Sequence, residues 1–196
     1  MRPLAWSLVG LAKFRHAGRD RALLREDLRI AELAVDVFRD VEPIDNPGLS
    51  EALYLFAGHM LELDKNQEVD TYAEESVHYF REAASEDPNY ALGLIFSLSL
   101  ASSCLACTER ADYAFEHAKE AVEVHRGRKA AGVADGVYTA HLRKLLIDVV
   151  SRARDLDMEF ETLSWYKELQ TLGGSVGKHW CSLYNQSICM AHQWTH

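Results

Sequence analysis

Apolar residues recur along this chain at intervals of three and four. They do so in Leu4, Leu8, Leu11 and Ala12, in Leu53, Phe56, Ala57, Met60 and Leu61, and in Tyr138, Leu142, Leu145, Leu146, Val149, Val150 and Ala153. A helix turns once every 3.6 residues, so each set falls on one face of a helix, and the pattern predicts amphipathic helices with core-facing stripes. Adding the local breaks gives eight of them: Met1 to His16, Arg21 to Val41, a segment capped by Ser50 and running to about Leu63, Thr71 to Ser85, Tyr90 to Cys107, Tyr113 to Arg126, Val137 to Leu156 and Asp157 to Leu172. Asp20 is the expected N-cap of the second helix, and Pro43 and Pro47 are expected to lie outside helices. Gly127 to Gly136 reads as a linker. The fold class expected is all-α.

A nonapeptide recurs within this pattern. Its clearest form is Ala118-Lys-Glu-Ala121-Val122-Glu-Val124-His125-Arg126. Earlier forms are Ala31-Glu-Leu-Ala34-Val35-Asp-Val37-Phe38-Arg39 and Ala73-Glu-Glu-Ser76-Val77-His-Tyr79-Phe80-Arg81. The starts lie 42 and 45 residues apart. Read as small, x, x, small, Val, x, apolar or aromatic, x, Arg, the motif puts two small residues on one face of a helix. A neighbouring helix can approach closely there, and the bulkier positions fill the space around it. Self-similarity at this period points to stacked helical hairpins, each burying what its neighbour cannot bury alone. Shifting the stripe at Leu53 by 45 residues gives Leu98, Ala101, Ser102, Leu105 and Ala106, the same face in smaller residues.

The three nonapeptides, together with the Glu86-Asp-Pro88-Asn89 exit of the second, resemble the tetratricopeptide repeat family in its longer-period, kinesin-light-chain-like form. The resemblance spans about Leu4 to Leu172, and the family's Trp-x-x-Leu-Gly start is missing from every copy. It implies an α-solenoid of about four antiparallel helix pairs wound as a right-handed superhelix. It also implies a non-enzymatic scaffold that holds a peptide or protein segment in a concave groove lined by the first helix of each pair. On those helices the groove positions are Tyr54, His59 and Glu62, then Ser99 and Ser103, then His141, Arg143 and Lys144. The Lys and Asn clamp by which some members hold a chaperone's terminal carboxylate has no counterpart in Tyr90 to Cys107. The organisation expected is a repeat domain over 1–172 and an irregular Cys-, His- and Trp-containing tail over 173–196. So few repeats are close to the minimum for stability, which is consistent with a fragment of a longer array.

Charge narrows the partners. A formal net charge of −9 disfavours nucleic acid. The charge is uneven: six bases and one acid precede Glu26, and acids dominate from there to Pro88. A basic start on an acidic body could meet another copy head to tail. Four cysteines in 196 residues do not make a disulfide framework, and a reduced, cytoplasmic setting is expected.

Other chemistry is weakly signalled. Cys104-x-x-Cys107, with Cys181, Cys189 and His192, offers soft zinc ligands, but thiols three apart in an apolar helix are ordinary core packing. Glu75-x-x-His78 is half of a di-iron motif without its second half. Gly173 to Lys178 has the wrong spacing for a phosphate loop. No cofactor is expected. A small α-helical metalloprotein or enzyme built on the Cys and His groups is the alternative to a scaffold. A membrane anchor is another, because Asn89 to Thr108 lacks charge over about 20 residues, the length that spans a bilayer. Its hydroxyls at Ser97, Ser99, Ser102 and Ser103, and its place in the repeat, favour a buried helix instead.

Overall fold

The computed structural model describes residues 1–15, 21–64, 68–108, 110–130, 135–159 and 163–173. Within them the chain forms α1 (Arg2–Arg15), α2 (Arg21–Arg39), α3 (Asn46–Glu62), α4 (Val69–Glu86), α5 (Ala91–Cys107), α6 (Ala111–Ala130), α7 (Asp135–Asp155) and α8 (Ser164–Thr171), with a 3-10 turn at Pro88–Tyr90 before α5. No strand occurs among the described residues. Each helix packs on its neighbour in sequence. The odd-numbered helices also touch in series, α1 on α3, α3 on α5 and α5 on α7. They form an inner row, and the nonapeptides lie on α2, α4 and α6. The Asp20 cap, residues 131–134 of the expected linker and the tail beyond Gly173 lie outside the described residues.

The small positions of the motif are buried. Ala31, Ala34, Ala73, Ser76, Ala118 and Ala121 are all 0–1% exposed. Ser76 shows what such a position can add. Its Oγ donates to the Ser50 carbonyl of α3 (2.8 Å), and Ser97 of α5 lies at 2.8 Å as the donor to it. One hydroxyl thus joins α3, α4 and α5.

The position that matters most is the eighth, which the sequence pattern left unspecified. Phe38, Phe80 and His125 occupy it, at 0%, 6% and 0% exposure. The ring of Phe38 lies on the first turn of α3 at Gly48, and that of Phe80 lies on the first turn of α5 at Gly93. A Cβ at either glycine would fall within the ring edge. In the third unit the partner is Tyr138, whose ring stacks on His125 at 4.5 Å between centroids and 13° between planes. Each motif helix is therefore locked to the start of the next inner helix.

The ninth-position arginines bridge units on the other side. Arg39 pairs with Glu75 at 2.7 Å, Arg81 with Glu120 through two bonds of 2.8 and 2.5 Å, and Arg126 with Glu168. Glu75 and Glu120 are the third residues of the next nonapeptides. Glu168 precedes buried Leu169 on α8 as Glu120 precedes buried Ala121 on α6. Both partners of each pair are about a third or more exposed, or nearly so. Such pairs contribute about 0–1 kcal/mol each. They mark the register of stacking more than they stabilise it.

Several expectations need correcting. On α1 the buried stripe is Ala5, Val9 and Ala12, while Leu4 and Leu11 are 57% and 43% exposed. Helix α3 begins at Asn46, with Pro47 in its first turn, where a missing N–H costs nothing. Its cap is Asp45, whose carboxylate accepts from the Gly48 N–H at 3.2 Å. Ser50 lies inside the helix and donates to the Pro47 carbonyl. Helix α6 runs through Gly127 to Ala130, and the helix expected from Asp157 is the shorter α8. The apolar segment Pro88–Cys107 is long enough to cross a membrane, and half of that window is buried within the structure between its neighbours.

Filling the space under the rings tests this packing. Gly93→Ala should destabilise the protein by about 1–3 kcal/mol, the usual cost of overpacking. Adding Phe80→Leu should recover part of the loss, read as the urea midpoint followed by circular dichroism.

Candidate functional site

The inner row of helices encloses a cleft of about 250 Å³ between α1, α3 and the start of α5. Its walls follow helical spacing. Trp6 and Lys13 project from α1, Pro47, Glu51 and Tyr54 from α3, and Leu92 and Phe96 from α5, with Tyr90 at the entry to that helix. The lining is predominantly apolar and aromatic. At this volume the cleft lies below the ~300–1,000 Å³ of a typical small-molecule site and suits one or two bulky side chains.

The walls are tied by contacts within and behind the cleft. Trp6 donates its indole N–H to Asp45 at 3.1 Å, so the carboxylate that caps α3 also anchors α1. The indole and the Phe38 ring form a T-shaped pair, with 5.6 Å between centroids and 83° between planes. Lys13 forms an ion pair with Glu51, which joins α1 to α3 in the cleft lining. The two charges are thereby matched, and the remaining surface is left to aromatic rings. Phe96 is held edge-on to His141 of α7, with 6.2 Å between centroids.

Electrostatics at this site are set by burial. The Tyr54 phenol is held protonated well above its usual range, by burial first and then by Glu51 and Glu62. The Glu62 carboxyl is pushed up to about 7 by burial, so it is partly protonated near neutral pH. His141 is pushed down to about 4, by burial and then by His125, Lys144 and Arg128. His125 is also lowered, chiefly by burial. Its Nε2 donates to the Tyr138 carbonyl at 3.0 Å, and its buried Nδ1 has no hydrogen-bond partner among the described residues. Both histidines are therefore neutral at pH 7.

The residues expected from sequence lie in different places. Tyr54 lines the cleft, and Glu62 lies two turns further along the same face of α3. Ser99 and Ser103 continue the Leu92–Phe96 line down α5 and are half-buried, with Ser103 donating to the Ser99 carbonyl at 3.0 Å. His141 and Lys144 are half-buried on α7, and His141 borders the cleft through Phe96. His59 is 1% exposed and belongs to the core, so it offers no surface to a groove. Arg143 is exposed, on a different side of α7 from His141 and Lys144. The sequence reading missed Trp6, Lys13, Tyr90 and Phe96. The signal for Phe96 was present, since Leu92, Phe96, Ser99 and Ser103 share one face.

Cys104 is buried, and burial pushes its thiol well above the usual range, while Cys107 is exposed. Among the described residues no group of three or more His, Cys, Asp or Glu is placed to hold a metal ion. Cys181, Cys189, His192 and the Gly173–Lys178 stretch beyond Gly173 lie outside the described residues.

The depressed histidine gives a pH prediction. An imidazole whose folded pKa is lowered costs stability as pH falls from its unfolded value near 6.5 towards about 4, because only the unfolded chain takes up the proton. Histidine NMR signals should show His141 titrating near 4, and His141→Gln should gain stability relative to the parent as pH falls through that window. A midpoint near 6.5 would contradict the assignment. The chain matches no protein-family model and no curated protein sequence.

Proposed function

We propose that this protein is a non-enzymatic interaction scaffold, a tetratricopeptide-like stack of about four helix pairs that holds a peptide or protein segment along its inner row of helices. The cleft between α1, α3 and α5 carries the reading. It is aromatic-lined and sized for side chains, and the charges that line it among the described residues, Lys13 and Glu51, satisfy each other. Such a surface rewards a bulky apolar anchor with little demand for a matching charge. The half-buried hydroxyls at Ser99 and Ser103 extend the same face for the ligand's flanking residues. The packing supports this reading too: helices in sequence-adjacent pairs, a second series of contacts among the odd-numbered helices, and arginine bridges at repeat spacing.

Selection from a random peptide display library on the intact chain tests the proposal. Enriched peptides should share a bulky apolar residue. Their affinity by fluorescence anisotropy should fall by roughly ten-fold or more with Tyr54→Ala or Phe96→Ala. It should change little with Arg143→Ala, which lies off the cleft. Peptides that bind both cleft variants undiminished would sink the assignment.

A further inference from the structure

A half-buried cation needs a counter-charge, and several here have one. Lys13, Arg110, Lys119 and Arg152 are half-buried, and each meets a carboxylate. Arg128 and Lys144, on the paired helices α6 and α7, are half-buried too, yet neither side chain forms an ion pair or a hydrogen bond among the described residues. The acid that helical spacing sets beside Lys144 is Asp148, and Arg152 holds it at 3.3 Å. Burial weakens the hold of both cations on their protons, and Asp148 opposes this only at Lys144.

The two cations flank His141. Arg128 is one turn beyond His125 on α6, and the His125 and His141 rings lie 5.8 Å apart between centroids. Lys144 is one turn beyond His141 on α7. Helices α6 and α7 are antiparallel neighbours, so these two turns lead in opposite directions. That sets Arg128 and Lys144 about 9 Å apart along the helix axes, a gap that two side chains of their length can close over the imidazole. On the third side Phe96 of α5 meets His141 edge-on. Helices α5 and α7 run parallel, so half-buried Ser99, one turn beyond Phe96, is level with Lys144. Helix α5 brings no charged residue of its own.

Two permanent cations on either side of a neutral imidazole, beside a hydroxyl, suit a tetrahedral dianion. A phosphoryl group has three oxygens for the guanidinium, the ammonium and the hydroxyl, and its charge answers both cations. A carboxylate has two oxygens and one charge. We propose that Arg128, Lys144 and Ser99 form a phosphate-binding site around His141, and that it takes a phosphorylated side chain of the peptide held in the adjoining cleft. The peptide as the source of the phosphate rests on the scaffold reading, because Phe96 both lines the cleft and borders the site.

Inorganic phosphate added to the full chain, followed by NMR at constant pH and ionic strength, reads the site itself. The His141 signals should move to saturation, and chloride should not move them. Arg128→Gln and Lys144→Gln should each weaken phosphate binding by roughly ten-fold, the usual loss for a charge-assisted hydrogen bond. Each removes an unpaired half-buried charge, so the circular dichroism spectrum should stay unchanged. Arg143→Gln removes the same charge from the exposed side of α7 and should leave binding as it was. Peptides with one tryptophan, and serine or phosphoserine a few residues away, read the source. Phosphoserine should tighten binding by roughly ten-fold, with the gain lost in Arg128→Gln, while Tyr54→Ala should weaken both forms. Shifts that never saturate, or a loss shared by Arg143→Gln, would overturn the site and leave the scaffold reading standing. Saturable phosphate binding with no gain from phosphoserine would overturn the peptide as its source. Saturable phosphate binding with no binding of any peptide would overturn the scaffold reading and uphold the site.

Discussion

The arrangement of the molecule depends on one contact, repeated with variation. The eighth residue of each nonapeptide closes on the first turn of the following inner helix. Phe38 lies on Gly48, Phe80 on Gly93, and His125 stacks on Tyr138. Full burial of a phenylalanine contributes about 1.5–3 kcal/mol. The exposed arginine bridges on the other side contribute about 0–1 kcal/mol each. The aromatic contact therefore holds successive units together, and the ion pairs specify which glutamate lies beside which arginine. Glycine is required at the receiving positions because a ring and a Cβ cannot share that space. In the third unit His125 meets α7 through a flat stack on Tyr138 and a hydrogen bond to the Tyr138 carbonyl.

That contact also places the candidate site. It packs each motif helix on the start of the following helix, and the starts of α3 and α5 both border the cleft. Phe38 touches Trp6 directly and Phe80 reaches the cleft wall, so the rings that lock the units also support the aromatic lining. Asp45 has a similar double role, capping α3 while holding the Trp6 indole. The histidines at the far end stay neutral because protonation would place charge among buried rings and beside Lys144 and Arg128. A surface of this kind offers shape and apolar area to a ligand, with few charges unmatched.

Much of the helical pattern was legible in the sequence, because burial on one face leaves a 3.6-residue signature. The stripe at Leu142 is buried throughout, and that at Leu53 is buried except at its last residue, Leu61, which is half-buried. Helix α1 departs from it. Three leucines outweigh two alanines and a valine in any apolar count, yet the small residues face the core and two of the leucines face outward. Only knowledge of the neighbouring helix resolves that choice. The eighth position was overlooked because phenylalanine and histidine do not look alike as residue types, although both present a flat ring. The glycines at 48 and 93 carried the missing information, ten and thirteen residues beyond their rings. His59 illustrates the remaining gap: polarity suggested a surface, while α3 is buried around most of its circumference. For the cleft, Tyr54 was readable from its helix face. Trp6 and Tyr90 depend on contacts between units that no local pattern encodes.

The central claim is that units are coupled through these ring contacts to their immediate neighbours. Native-state hydrogen exchange on Phe80→Leu tests it most directly, because exchange reports opening region by region. Loss of protection should concentrate in the end of α4 and the first turns of α5, with α1, α2 and α7 close to the parent. Equal loss of protection in all eight helices, or none at the junction of α4 and α5, would contradict the account.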